Sequence, residues 1–125
     1  MAGERVLIVD DNPTNLKLVA YLVRAHDYEV HTATDAEAAL EGIRAHRPHL
    51  ILMDIQLPGV DGLELTRRLK TDPATRDIVI VAVTAYAMKG DQEKAMAAGC
   101  DDYVTKPIDT RKLPELIARH LGAKA

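Results

Sequence analysis

Residues 6–23 read Val-Leu-Ile-Val-Asp-Asp-Asn-Pro-Thr-Asn-Leu-Lys-Leu-Val-Ala-Tyr-Leu-Val, and this stretch decides the fold. Val6–Val9 is a continuous apolar run of strand length. Leu16, Val19, Ala20 and Val23 then recur at i, i+3, i+4 and i+7, the spacing of one helix face. Between the two lie Asp10 and Asp11, and Asp11 or Asn12 is placed to cap a helix that begins on Pro13. A strand that is apolar at every position needs cover on both faces, which helices provide when the sheet is parallel.

Working outward, the same alternation recurs. Glu29–Ala33 reads as a strand. Thr34-x-x-Glu37 has the capping-box pattern and opens a helix whose apolar side is Ala36, Ala39, Leu40 and Ile43. Leu50–Met53 is again apolar throughout, and Asp61-x-x-Glu64 precedes Leu65 and Leu69. Ile78–Val83 is apolar and rich in β-branched residues. Residues 88–98 form a weak helix that stops at Gly99, a residue suited to a left-handed C-terminal cap. Asp102–Thr105 is the last strand. Leu113, Leu116, Ile117 and Leu121 stripe the final helix, with Pro114 tolerated in its first turns. Five strands alternating with five helices predict a doubly wound α/β domain around a five-stranded parallel sheet.

The composition narrows the function classes. A chain of 125 residues has room for one domain. No apolar run approaches the ~18–20 residues needed to span a bilayer. The start Met1-Ala-Gly-Glu4 is not a secretory leader, so the expected address is cytoplasmic. Cys100 is the one cysteine, and no Cys/His cluster has zinc spacing. A net charge of −3 and a pI near 5.9 argue against a nucleic-acid partner. Residues 1–125 are expected to form a single domain with no output domain attached.

In an open parallel sheet the ligand crevice lies at the carboxyl ends of the strands. Strand one runs into Asp10 and Asp11, strand three into Asp54, strand four into Thr84 and strand five into Lys106. Singly each has a plain explanation: Asp54 as a turn former, Thr84 as a β-former, Lys106 as a surface lysine. Together they bring three carboxylates, a hydroxyl and an ammonium to one edge. Carboxylates ~5 Å apart repel by about 3 kcal/mol per pair at an effective dielectric of 20. A hard divalent cation relieves that repulsion, and Mg²⁺ keeps water positions that a phosphoryl oxygen can take. Asp54 is then a candidate nucleophile for an acyl phosphate.

These residues, with Leu50-Ile-Leu-Met-Asp-Ile-Gln-Leu-Pro58, Val83-Thr-Ala85 and Tyr103-Val-Thr-Lys-Pro107, resemble the receiver domains of two-component response regulators across the whole chain. Asp10-Asp-Asn-Pro-x-Asn15 and Ala87-Met-Lys-Gly-Asp91 are similar to single-domain regulators and to the receivers of hybrid histidine kinases. The resemblance implies a flavodoxin-like sheet of strand order 2-1-3-4-5. It implies Asp54 as phosphoacceptor, and Mg²⁺ held by Asp11, Asp54 and the backbone carbonyl of Gln56, with Asp10 acting through a water. It also implies that Thr84 and Lys106 grip the phosphoryl oxygens, that Tyr103 is an aromatic switch beside Thr84, and that Lys106–Pro107 is cis. The implied donor is a phosphohistidine on a histidine kinase or phosphotransfer protein. The implied output is a protein target bound through helix four, strand five and helix five, including Met88, Lys89 and Tyr103. The domain would catalyse only its own phosphorylation and dephosphorylation.

Three rivals fit less well. A haloacid-dehalogenase phosphatase needs an acid two residues beyond its nucleophile, where this chain has Gln56. A flavodoxin would cradle a phosphate after strand one, where Asp10 and Asp11 repel it. A pseudo-receiver lacks part of the acid and lysine set. Thr84 and Lys106 are expected at solvent-facing strand ends, and Gln56 and Tyr86 beside the path of a hydrolytic water.

Overall fold

In the computed structural model, which describes residues 4–55, 62–84, 89–106 and 108–121, β1 (Arg5–Val9) lies between β2 (Glu29–Ala33) and β3 (Leu50–Asp54). β4 (Val79–Thr84) pairs with β3, and β5 (Asp102–Thr105) pairs with β4. All four pairings are parallel, and the strand order is β2-β1-β3-β4-β5. The helices are α1 (Pro13–Arg24), α2 (Ala36–His46), α3 (Gly62–Thr71), α4 (Lys89–Ala97) and α5 (Lys112–Leu121).

The sheet separates two apolar slabs. Along β3, Ile51 and Met53 point to one side and join Ala39, Ile43, Leu65, Leu69, Ala95 and Ala98 from α2, α3 and α4 or its end. Leu50 and Leu52 point to the other and join Val19 and Val23 of α1 with Leu113 and Ile117 of α5. Each fully buried aliphatic side chain of this kind contributes about 1.5–3 kcal/mol. β3 therefore carries no polar side chain until Asp54.

Local chemistry sets the element ends. Asn12 is the cap of α1: its side-chain oxygen accepts from the Thr14 and Asn15 N–H groups at 3.0 and 3.2 Å, with Pro13 in the first turn. The capping box expected at Thr34 and Glu37 is displaced by one residue. Asp35 is the cap of α2, extended at φ −152°, and accepts from the Ala38 N–H at 2.8 Å. An aspartate satisfies this role without a reciprocal partner, so the Thr34 pattern is not used. Gly99 has φ 108°, as a left-handed helix end requires. Asp109 accepts from the Arg111 and Lys112 N–H groups and starts α5, with Pro114 two residues into it.

Below β4 and β5, at the edge remote from their carboxyl ends, polar groups form a clasp. The Lys70 ammonium donates to the Arg76 and Ile78 carbonyls and to Asp101 Oδ2, the last at 2.7 Å. Asp101 in turn takes the Ile80 N–H on Oδ2 at 2.9 Å and gives its own N–H to the Ile80 carbonyl at 2.7 Å.

Asp102 joins β5 to the end of α5. Its Oδ2 lies 2.7 Å from His120 Nε2 and 3.2 Å from Arg119 Nη2, and its Oδ1 accepts from the Tyr103 N–H at 2.8 Å. Burial works to raise its pKa, but these bonds outweigh it and hold the carboxyl below its ordinary value of 3.8. A depressed carboxylate contributes stability above its unfolded pKa, and the contribution is lost as pH falls through the folded value. Asp102→Asn is therefore expected to lower the urea midpoint at neutral pH. The gap from wild type should close as pH drops below 3.8. A gap that stays constant down to pH ~2 would show that the charge is not what matters.

Candidate functional site

At the carboxyl edge, each polar side chain is delivered by the strand that precedes it. Asp10 follows β1 and is buried, and its N–H donates to the Ala33 carbonyl at 3.0 Å. Its Oδ1 accepts from the Asn12 N–H at 2.9 Å and its Oδ2 from Asn15 Nδ2 at 3.3 Å, so the carboxylate is fixed from the first turn of α1. Asp11 is exposed beside it. Asp54 closes β3 with only 2% of its surface exposed. One carboxylate oxygen from each of Asp10, Asp11 and Asp54 lies within 4.8 Å of the others.

Lys106, just past β5, sends its ammonium into this cluster, 3.3 Å from Asp54 Oδ2 and 3.4 Å from Asp10 Oδ2. Burial works to lower its pKa, but the two carboxylates prevail and raise it above the ordinary lysine value. The backbone ties Lys106 to its neighbour in the site, because its N–H donates to the Thr84 carbonyl at 2.7 Å. Three carboxylates against one ammonium leave a formal charge of −2, the complement of one hard dication with oxygen ligands.

Thr84 corrects one expectation. It ends β4 as predicted but is fully buried rather than solvent-facing, because the β4 end is covered on both sides. Lys106 is also mostly covered, with 21% of its side chain exposed. Tyr103 is half-buried on β5 and packs against the slab beneath α2, α3 and α4. Gln56, Tyr86, Met88, Pro107 and the Lys89 side chain lie outside the described residues.

Two contributors escape a reading of strand ends. Asn15 stands in the first helical turn, where its side chain is the second donor to Asp10. Gly62 begins α3 directly against the end of β3. A Cβ there would lie 2.5 Å from the Asp54 carbonyl oxygen and 2.6 Å from Ile55 Cα, closer than atoms pack. The Gly62 N–H donates to the Ile55 carbonyl at 3.3 Å. No spacing in the sequence distinguishes this glycine from one in an open turn.

Residues 6–118 match the response regulator receiver domain family. The chain is a receiver domain. As such it is a phosphoryl-accepting signalling module, and its sheet has the order that such folds share. The receiver is 49% identical over 117 residues to the polar-differentiation response regulator DivK of Brucella anthropi, covering 94% of this chain and 95% of that one. It is 48% identical to DivK of Brucella ovis over the same shares. Among solved structures it resembles the receiver domain of sensor histidine kinase PA1611 from Pseudomonas aeruginosa, which has magnesium coordinated in its active-site cleft. That match has a TM-score of 0.87 and 35% identity, covering 97% of this receiver and 99% of the other. A CheY-like receiver from Methanospirillum hungatei superposes with a TM-score of 0.88 at 31% identity, covering 98% and 96%.

Proposed function

We propose that this receiver takes a phosphoryl group from a phosphohistidine onto Asp54 and passes the signal on by protein–protein contact. The observation that carries this is the gathering of Asp10, Asp11 and Asp54 within 4.8 Å, with the Lys106 ammonium 3.3 Å from Asp54. In the transfer, an Asp54 carboxylate oxygen forms the bond to phosphorus as the phosphorus–nitrogen bond of the donor breaks. Asp11, Asp54 and the Gln56 carbonyl are the proposed Mg²⁺ ligands, with Asp10 acting through a water. The ion would neutralise phosphoryl oxygens as charge builds on them. Lys106 supplies a fixed positive charge on the same group, preorganised by Asp10 and Asp54 before any donor arrives. Thr84 supplies a hydroxyl, and the Lys106–Thr84 backbone bond makes the two act as a unit.

The proposed output runs through α4, β5 and α5, with Tyr103 as the switch. Supporting this, Tyr103, Val104, Thr105, Asp109, Lys112 and Leu116 border a shallow cavity of about 280 Å³ on the β5–α5 side. The donor is a histidine kinase or phosphotransfer protein. Residues 1–125 act as one receiver unit, a reading supported by the chain covering 95% of the Brucella anthropi relative. A cytoplasmic setting agrees with the lack, among the described residues, of any helix long and apolar enough to cross a membrane. The net charge of −3 favours protein partners over nucleic acid.

The test is intact-mass analysis after incubation with Mg²⁺ and a small-molecule phosphodonor: one added phosphoryl group supports the proposal, and an unchanged mass overturns it. A second measurement separates grip from metal binding. Lys106→Ala is expected to keep Mg²⁺ affinity within about threefold while slowing phosphoryl acceptance by roughly 10²-fold. It should also lose most of the amide shifts on β5 and α5 that accompany phosphorylation. Equal loss of metal affinity and signalling would defeat the division of roles.

A further inference from the structure

We propose that Glu29, His31 and His46 form a second metal site, for a borderline dication such as Zn²⁺ or Ni²⁺, at the sheet edge remote from Asp54. Glu29 and His31 are two apart on β2 and share a face. Ala33, in the same phase, packs into the slab beneath α2, while Val30 packs into the opposite slab. His46 is the last residue of α2, which runs back across that face. The three meet where β2 begins and α2 stops.

The donor atoms are close enough together to serve one ion. His31 Nε2 is 2.6 Å from Glu29 Oε2. The His31 and His46 rings stack with centroids 3.5 Å apart and planes 10° from parallel. One ligand atom from each residue lies within 4.8 Å of the others. A tetrahedral ion with bonds near 2.0–2.1 Å holds its ligand atoms roughly 3.3 Å apart. Bringing the donor atoms to that spacing asks for shifts of at most about 1.5 Å from partly exposed side chains, and the stacked imidazoles must also turn so that their in-plane lone pairs converge on the ion. Two imidazoles and a carboxylate suit zinc, nickel or copper, whereas Mg²⁺ prefers oxygen alone. Water would fill the remaining positions.

The surroundings admit a cation. The His46 carbonyl belongs to the negative end of the α2 dipole. The nearby guanidinium of Arg5 is already engaged with that end, donating from Nε to the His46 carbonyl at 2.5 Å and from Nη2 to the Arg47 carbonyl at 3.1 Å. β2 is an edge strand, so an ion here would fasten the sheet's outermost strand to the helix that covers it. It would do so without touching the acidic pocket.

The test is titration of the tag-free chain with ZnCl₂ by calorimetry, with Mg²⁺ saturating so that the acidic pocket is occupied. One Zn²⁺ site is expected, weakened at least about tenfold by His31→Gln or His46→Gln and unaltered by Asp11→Asn. Zn²⁺ should raise the melting temperature of wild type and of Asp11→Asn but not of either histidine variant. Circular dichroism establishes that the variants remain folded. The absence of a saturable Zn²⁺ site overturns the proposal, and so does a site abolished by Asp11→Asn but indifferent to both histidine substitutions. X-ray absorption of the zinc-loaded chain should show two imidazole ligands; an all-oxygen shell would also overturn it.

Discussion

Asp54→Asn is expected to reduce phosphoryl incorporation to background, a loss of at least about 10³-fold. The amide keeps the shape of the carboxylate but has no nucleophilic oxygen to form the acyl phosphate. Removing Mg²⁺ with EDTA from the wild type should cost roughly 10²-fold or more, because Lys106 alone then stands against three carboxylates as the anionic donor approaches. Intact-mass kinetics with a small-molecule phosphodonor measure both effects. Labelling of Asp54→Asn at the wild-type rate would place the acceptor elsewhere. Insensitivity to EDTA would mean that Lys106 alone balances the pocket.

Gly62→Ala should have the largest effect on stability among conservative substitutions near the site. The added methyl meets the Asp54 carbonyl oxygen at 2.5 Å and Ile55 Cα at 2.6 Å, and neither is a flexible side chain that can swing aside. The start of α3 must withdraw, at a cost of about 1–3 kcal/mol, which lowers the melting temperature by roughly 5–10 °C. Because the push falls on Asp54's own peptide, phosphoryl acceptance should slow as well. Gly90→Ala is the control: at Gly90, on α4, an added Cβ meets nothing within 4 Å. Its stability should be unchanged or slightly higher, since alanine is the better helix former. Equal melting temperatures for the two variants would show that the α3–β3 contact relaxes freely.

Much of this receiver was legible before any coordinates, for reasons specific to particular residues. Leu50, Ile51, Leu52 and Met53 are apolar in succession because β3 is buried on both faces, so a continuous run identifies a central parallel strand. The acidic cluster followed from one topological rule, that the carboxyl ends of parallel strands share an edge. What stayed hidden depends on contacts distant in sequence or on near-equivalent local choices. Asp35 and Thr34 can each cap α2, and only the backbone angle at Asp35 decides between them. Thr84 looked exposed because its sequence neighbours say nothing of the elements that cover it. Gly62 has no signature at all, since its constraint comes from the peptide of Asp54 across the loop. The Glu29–His31–His46 group was missed because its members come from two elements and match no metal-binding spacing.

The clasp beneath β4 and β5 determines how a disturbance at the other end of those strands can spread. Lys70 and Asp101 rivet the lower end: the ammonium holds two carbonyls and a carboxylate, and Ile80 is bound through both its N–H and its C=O. Thr84 and Lys106 sit at the upper end and are joined to each other by a backbone bond. A pull on Thr84 is therefore expected to move the upper end of the pair more than the end held at Ile80. Displacement grows with height above the rivet. It is expected to be largest beside Thr105 and smallest beside Asp102, which leaves Tyr103 closer to the held end than Val104 or Thr105.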